Sequence, residues 1–229
     1  VRPSLSAIVE DSVLLLVPPT WWYHPFMPEG HHKGPLDSER LQHPEETPFT
    51  SGRSRGALPH LFKPGWSYFV TFCLQDAVAT HARRRATLNS TDKPEELAAF
   101  SEPPGDRGVH LLANPALAAV VEGALLHFQG TRYALHAWAV MPDHVHAVVT
   151  PFDGYDLPGI LHSWKSFTSN RVNAGFGRSG RLWEKESFDH LIRTEHAFER
   201  FIAYTEANPV TAGLCNSPLD WPFGSGRFR

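Results

Sequence analysis

Two apolar segments separated by only two residues constrain the fold of this chain more than any other feature. The first is "YALHAWAVM" (133–141) and the second is "HVHAVVT" (144–150), with Pro142 and Asp143 between them. Both carry the β-branched and aromatic residues that are typical of strands. A connection this short joins antiparallel neighbours. The pattern therefore predicts a β-hairpin, which we expect at the middle of an antiparallel sheet.

Further strand and helix patterns surround this hairpin. A β-branched and aromatic run predicts one strand before it, and apolar residues at helical spacing predict three helices. The predicted elements are strands at 67–74, 133–141, 144–150 and 188–193, and helices at 114–128, 157–175 and 194–209. This order indicates an α+β, ferredoxin-like sandwich, with a central antiparallel sheet and helices on one face.

The chain divides into two parts of different composition. Residues 1–56 are crowded with proline, glycine and polar side chains and show no sustained period, which predicts a poorly ordered extension. Residues 57–229 carry the periodic segments and are expected to form the folded domain. Residues 1–50 have a net charge of −4 and the remainder +1. Overall charge therefore neither supports nor excludes a nucleic-acid partner.

The sequence shows no pattern that is typical of a targeting signal. No segment approaches the roughly 20 apolar residues of a membrane span, and no secretory signal is recognisable at the start. Cys73 and Cys215 have no zinc-type spacing and are expected to be reduced thiols. These features predict a cytoplasmic protein with no membrane partner.

The second strand of the hairpin carries two histidines, His144 and His146, on one face, with Val145 turned to the other. One interpretation is a pair of hydrogen-bonded core residues. The other is a metal site, since two imidazoles on one face each bring a donor and an acceptor that need partners.

The last predicted helix offers a third ligand. Tyr204 and Asn208 are four residues apart and therefore share one helical face. A carboxamide oxygen is a suitable ligand beside two imidazoles, and the phenol would lie one turn away. Taken separately, Tyr204 would be a core aromatic and Asn208 a helix terminator before Pro209. The combination of imidazoles, amide and phenol favours a site.

These residues lie in blocks that resemble the REP-associated tyrosine transposases, relatives of the single-tyrosine HUH transposases. The blocks are "RYALHAWAVMPDHVHAVV", "LHSWKSFTSNRVN", "GRSGRLWEKESFDHLIR" and "YTEANPVTAGL". The similarity covers roughly residues 57–225 and leaves the N-terminal extension outside. Two positions depart from the family pattern. Asp143 stands where many relatives have Asn, and Cys73 where an Arg is more usual, which is expected to weaken one DNA contact.

The resemblance implies a metal-dependent DNA transposase and nickase. His144 and His146 match the family's HUH pair and Asn208 its third ligand, for Mg²⁺ or Mn²⁺. Tyr204 matches the nucleophile, which would form a 5′-phosphotyrosine intermediate. The implied partner is single-stranded or hairpin DNA with palindromic repeats, and the implied location is the nucleoid. A monomer is favoured over a dimer.

A basic segment supplies candidate DNA contacts. Residues 162–185 have a net charge of +4 and carry aromatic residues between the cations. Trp164 and Phe167 are expected to be core residues instead. The predicted DNA-binding residues are Lys165, Arg171, Arg178, Arg181, Trp183 and Lys185.

Two alternatives remain open. The first is a catalytically silent protein that binds DNA hairpins. The second is a metal-dependent phosphoesterase that uses water as its nucleophile, in which case activity would survive Tyr204→Phe.

Overall fold

The computed structural model describes residues 51–52, 61–62, 65–75 and 110–229. The predicted extension of residues 1–56 lies almost wholly outside these ranges, and its predicted disorder and its boundary with the domain stay predictions. Within the described part of the chain, no helix is long and apolar enough to cross a membrane.

The described residues form an α+β fold, as predicted. A two-stranded pair, β1 with β2, precedes the four-stranded antiparallel sheet, and three helices pack on that sheet. The strands are β1 (Ser51–Gly52), β2 (Leu61–Phe62), β3 (Tyr68–Cys73), β4 (Tyr133–Val140), β5 (His144–Pro151) and β6 (Phe188–Leu191), and the helices are α1 (Pro115–Leu126), α2 (Leu157–Gly175) and α3 (Glu195–Thr211).

The predicted hairpin is β4 paired with β5. Strand order in the sheet is β4-β5-β3-β6. Strand β5 is therefore central, but β4 lies at the edge, so the expectation that the whole hairpin is at the middle of the sheet was wrong for β4. All neighbouring pairs are antiparallel. The central place of β5 explains its composition, because a strand covered on both faces must be apolar on both. Only one of its eight residues is not fully buried.

Side-chain caps determine where the helices begin. The Asn114 side chain accepts a hydrogen bond from the backbone N–H of the second residue of α1, and the Asp156 and Thr194 side chains accept from the third residue of α2 and α3. The prediction that Pro209 ends the last helix was wrong, because α3 continues to Thr211. A proline this close to the end removes only one N–H, and the backbone N–H of Ala212 still bonds the Asn208 carbonyl.

The helices cover both faces of the sheet, which corrects the expectation that they share one. Tyr68, Val70 and Phe72 of β3 belong to the core that contains Trp164 of α2. Phe69, between them, turns to the opposite face and belongs to a smaller core with residues of α3. Since β3 is buried at every position, neither face can be left to water. Helices α1 and α2 cover one face and α3 covers the other.

A β-bulge in β4 sets which residues face α3. The register between β4 and β5 shifts between Leu135 and Ala137, so the alternation of faces changes there. Trp138 therefore belongs to the larger core, and Ala137 to the smaller one beneath α3. Ala139 lies directly opposite His146 in the register. Its methyl group leaves space for the imidazole between sheet and helix.

Candidate functional site

The two histidines of β5 converge beneath α3. They project from the same face of the central strand and are 6% and 0% exposed. The Nε2 atom of His144 lies 3.0 Å from the Nε2 atom of His146, and the rings meet edge to face. Two ring nitrogens that meet at this distance cannot both present lone pairs, so a proton or a cation must lie between them.

The other nitrogen of each ring has its own partner. The Nδ1 atom of His144 lies 2.6 Å from Oδ1 of Asp143, and the Nδ1 atom of His146 lies 2.8 Å from Oγ1 of Thr71. Both partners are buried. These two hydrogen bonds fix the orientation of the rings, and both Nε2 atoms are directed to one point. Histidines that bind metals in proteins are commonly oriented in this way.

Aromatic rings enclose the histidine pair on the α3 side. The Phe69 ring is stacked on the His146 ring with centroids 5.5 Å apart. The Tyr204 ring meets both edge on, at 5.6 Å from each. The structure thus brings Tyr204 against His146, although 58 positions of sequence separate them. Tyr204 is only partly buried, so its ring lies at the boundary between core and solvent.

Asn208 lies one turn beyond Tyr204 on the same side of α3. It is 1% exposed and lies inside the helix rather than at its end. The simpler interpretation of Asn208 as a helix terminator is therefore excluded. The Asn208 carboxamide is buried on the face of α3 that packs on the sheet, where the other contacts are largely apolar. Removing such a polar group from water costs free energy.

The C-terminal residues hold α3 against the sheet. The Ser225 hydroxyl donates to Glu206 of α3 and accepts from the backbone N–H of Trp138 in β4, at 2.9 and 3.1 Å. Arg229 forms an ion pair with the same Glu206 carboxylate at 2.9 Å. Because Glu206 lies between Tyr204 and Asn208, these bonds hold the segment of α3 that carries both.

The donor set for a metal is small. No group of three or more His, Cys, Asp or Glu side chains suited to a metal ion occurs within residues 65–75 and 110–229. A metal at this place would need the two imidazoles and a further ligand of another type, which the amide of Asn208 would supply.

Two of the predicted DNA-binding residues form contacts within the fold. Trp183 is 4% exposed, and its indole N–H donates to Thr168 of α2, so its ring is not available to stack on a base. The Lys165 ammonium donates to the backbone carbonyls of Glu184 and Glu186, at 2.9 and 3.3 Å. These bonds hold the loop after α2 against that helix. The sequence pattern missed this because burial of the loop depends on contacts with α2 and β3.

The other predicted cations lie nearer to solvent. Arg171, Arg181 and Lys185 are exposed and Arg178 is partly buried. The loop after α2 carries Arg178, Arg181 and Lys185. It is hydrogen-bonded to the end of β3, where the Glu184 N–H donates to the Cys73 carbonyl.

This loop lies at the same end of the sheet as the histidines. Cys73 is the Cα partner of His144 in the register, so the segment that carries Arg181 and Lys185 passes the end of β3 next to the site. The Cys73 side chain is itself 1% exposed. A side chain at that position points into the fold.

The sequence pattern did not identify Thr71, Phe69 or the contact between Asp143 and His144. One signal was available for Thr71, which is the polar residue within the apolar run "YFVTF". A polar residue in the interior of a buried strand requires a hydrogen-bond partner. The sequence could indicate that need, but only the strand register identifies His146 as the partner.

Comparison with known proteins finds similarity over part of the chain. A family model described as IS200-like transposase matches residues 122–197. This range contains the histidine pair and the loop after α2, and it ends before Tyr204 and Asn208.

Two curated relatives are similar over somewhat larger parts of the chain. A REP-associated tyrosine transposase of Escherichia coli K12 is 26% identical over 41% of this chain and 54% of its own length. A putative REP-associated tyrosine transposase of Haemophilus influenzae Rd is 24% identical over 39% and 56%. The chain thus spans about half the length of these curated relatives.

A solved structure of a REP-associated tyrosine transposase bound to a REP hairpin has the same fold. It superposes with a TM-score of 0.52 at 16% identity, over 76% of this chain and 84% of that one. At this identity the likeness shows the fold alone. Together with the family match and the two relatives, it confirms the resemblance of this chain to the REP-associated tyrosine transposases.

Proposed function

We propose that this protein is a transposase of the single-tyrosine type, which cleaves and rejoins single-stranded or hairpin DNA through Tyr204. The observation that carries the proposal is the meeting of side chains from two distant segments, β5 and α3. Two imidazoles direct their Nε2 atoms to one point, and the Tyr204 ring packs against one of them. A phenol beside such a pair is suited to attack on a phosphodiester.

The substrate class is inferred from the relatives and from the surface. The relatives are named as REP-associated tyrosine transposases, and the solved structure of one holds a REP hairpin. A single nucleophile cleaves one strand at a time, which favours an unpaired or hairpin substrate over plain duplex. Exposed Arg181 and Lys185 lie on the loop beside the site and would contact phosphates.

The residues fit a divalent cation, Mg²⁺ or Mn²⁺. The ligands would be the Nε2 atoms of His144 and His146 and the carboxamide of Asn208. The support for this is the hydrogen bonding of both Nδ1 atoms, which leaves both Nε2 atoms for a shared partner. When bound, the cation would supply Lewis-acid stabilisation of the charge that develops on the phosphate.

The covalent step belongs to Tyr204. Its phenolic oxygen attacks the phosphorus and forms a P–O bond as the bond to the 3′ oxygen breaks. The phenolic proton leaves to water, the departing 3′ oxygen takes a proton from water, and the products are a 5′-phosphotyrosine and a free 3′-hydroxyl. Because one phosphodiester replaces another, a second 3′-hydroxyl can attack the adduct and rejoin the strand. Contact with Phe69 and His146 limits the rotation of the Tyr204 ring.

The test is covalent adduct formation. A labelled hairpin from the repeats that flank the gene is incubated with protein and Mn²⁺, and the products are separated by denaturing electrophoresis. The wild type is expected to form a protein–DNA adduct and Tyr204→Phe to form none while still binding the hairpin. Tyr155→Phe is the matched control, because Tyr155 is 44% exposed and lies before α2, outside the site.

Two outcomes would contradict the proposal. Cleavage that persists in Tyr204→Phe would indicate water as the nucleophile, as in a phosphoesterase. Hairpin binding with no adduct from the wild type would indicate a protein that binds DNA without chemistry.

A further inference from the structure

We propose that Asp143 and Thr71 are positioning residues that control which nitrogen of each histidine carries the proton, and do so differently for the two rings. This inference rests on the proposed function, since the arrangement matters for a cation held by the pair. It concerns tautomers, meaning the place of one proton within a neutral imidazole.

The carboxylate of Asp143 fixes the tautomer of His144. An ionised carboxylate can only accept hydrogen bonds, and its Oδ1 atom lies 2.6 Å from Nδ1 of His144. The proton of a neutral His144 must therefore be on Nδ1. In this tautomer its Nε2 atom presents a lone pair towards His146. His144 is prepared to bind a cation before one arrives.

The hydroxyl of Thr71 leaves His146 able to change. Because Nε2 of His144 presents a lone pair, the Nε2–H of His146 donates to it, so Nδ1 of His146 is an acceptor and the Thr71 hydroxyl donates to it. If both Nε2 atoms were to hold a cation, His146 would carry its proton on Nδ1 instead. The Thr71 oxygen can then accept from it, because a hydroxyl is both donor and acceptor.

Other side chains at these two positions would keep or remove these hydrogen bonds in ways that differ from one side chain to another. A valine at position 71 has the same shape but could neither donate nor accept, so Nδ1 of His146 would be buried with no partner. An asparagine at position 143 could still accept through its oxygen and would keep the His144 tautomer. A leucine there could not. These differences provide matched pairs of variants.

The first measurement is the tautomer itself. Long-range ¹H–¹⁵N correlation spectra of ¹⁵N-histidine-labelled protein without metal distinguish a protonated from an unprotonated ring nitrogen. We expect His144 protonated on Nδ1 alone and His146 on Nε2 alone, with the His146 proton moving to Nδ1 when Zn²⁺ is added as a diamagnetic probe. A His144 protonated on Nε2, or on both nitrogens, would overturn the inference.

The second measurement is Mn²⁺ affinity by titration calorimetry. Loss of such an outer partner typically weakens metal binding about 10- to 100-fold. We expect that loss in Asp143→Leu and Thr71→Val, and a smaller one in Asp143→Asn and Thr71→Ser, which keep the hydrogen bond. Equal affinity within each pair would refute the assigned roles.

Failure of this inference is distinguishable from failure of the proposed function. If no Tyr204 adduct forms but the tautomers are as stated, the proposed function fails alone. If an adduct forms while the spectra show another tautomer, only the present inference fails. The spectra of the metal-free wild type need no variant, so a misfolded variant cannot leave the question undecided.

Discussion

His136 provides a test of the packing between α3 and the edge strand. It lies at the bulge of β4, and its Nε2 atom is 2.8 Å from the Thr150 hydroxyl. The Phe198 ring of α3 meets it edge on at 4.8 Å. Burial here, and secondarily the charge of Arg229, lower the pKa of His136 from 6.5 to about 4. The imidazole is therefore neutral in the folded protein at pH values where the unfolded chain binds a proton.

The sign and size of the effect follow from this difference. As pH falls below 6.5 the unfolded state gains a proton that the folded state does not, so stability falls with pH. A shift from 6.5 to about 4 corresponds to a loss of about 2 kcal/mol at pH 5 and about 3 kcal/mol at pH 4. Above pH 7 the contribution of His136 is close to zero.

The assay is urea denaturation of the wild type and of His136→Gln at pH 7.5, 6, 5 and 4. Glutamine keeps a donor and an acceptor for Thr150 but does not titrate. The free energy of unfolding of the wild type should fall more steeply than that of the variant, with a difference of about 2 kcal/mol by pH 5. His162→Gln, at an exposed position of α2, is the control and should follow the wild type. Parallel curves for wild type and His136→Gln would refute the argument.

Three further predictions concern the DNA surface, a buried ion pair and a buried phenol. Arg181→Ala should weaken hairpin binding and reduce the slope of log K against log salt by about 0.7–0.9, measured by fluorescence anisotropy; an unchanged slope would remove Arg181 from the interface. Arg227→Met removes the cation 2.9 Å from the buried Glu122 carboxylate and should lower the free energy of unfolding by about 3 kcal/mol in urea; a change below about 1 kcal/mol would mean that Glu122 is satisfied by other groups. Burial raises the pKa of Tyr133 to about 12, so the unfolded state loses this proton first and stability falls as pH rises from 10 towards 12. Thermal denaturation should show a smaller loss of stability for Tyr133→Phe than for the wild type over that range. An equal loss would contradict the assignment.

Features that depend on local periodicity were predictable from the sequence. The two-residue connection between 133–141 and 144–150 is short enough to require a hairpin, and β4 and β5 form it. Strand alternation placed His144 and His146 on one face, and helical spacing placed Tyr204 and Asn208 on one side of α3. Such regularities depend on backbone geometry alone.

Features that depend on which surfaces meet were decided by the tertiary structure. Trp183 is interspersed with cations, which is typical of a DNA contact, but the contact of its loop with α2 and β3 buries it. The third helix crosses to the opposite face because β3 and β5 are apolar on both faces, a property of the assembled sheet. Neither outcome is encoded in a short sequence window.

The candidate site depends both on local periodicity and on tertiary packing. The sequence alone determined the chemical types that carry it, a pair of imidazoles on one strand and a phenol with an amide on one helix. Only the tertiary structure decided that Thr71, 75 residues from His146, would bond its ring, and that Tyr204 would pack against it. The physical reason is that strand register and helix packing are set by burial of the whole apolar surface. Which distant residues come into contact therefore depends on the packing of the whole fold and not on those residues alone.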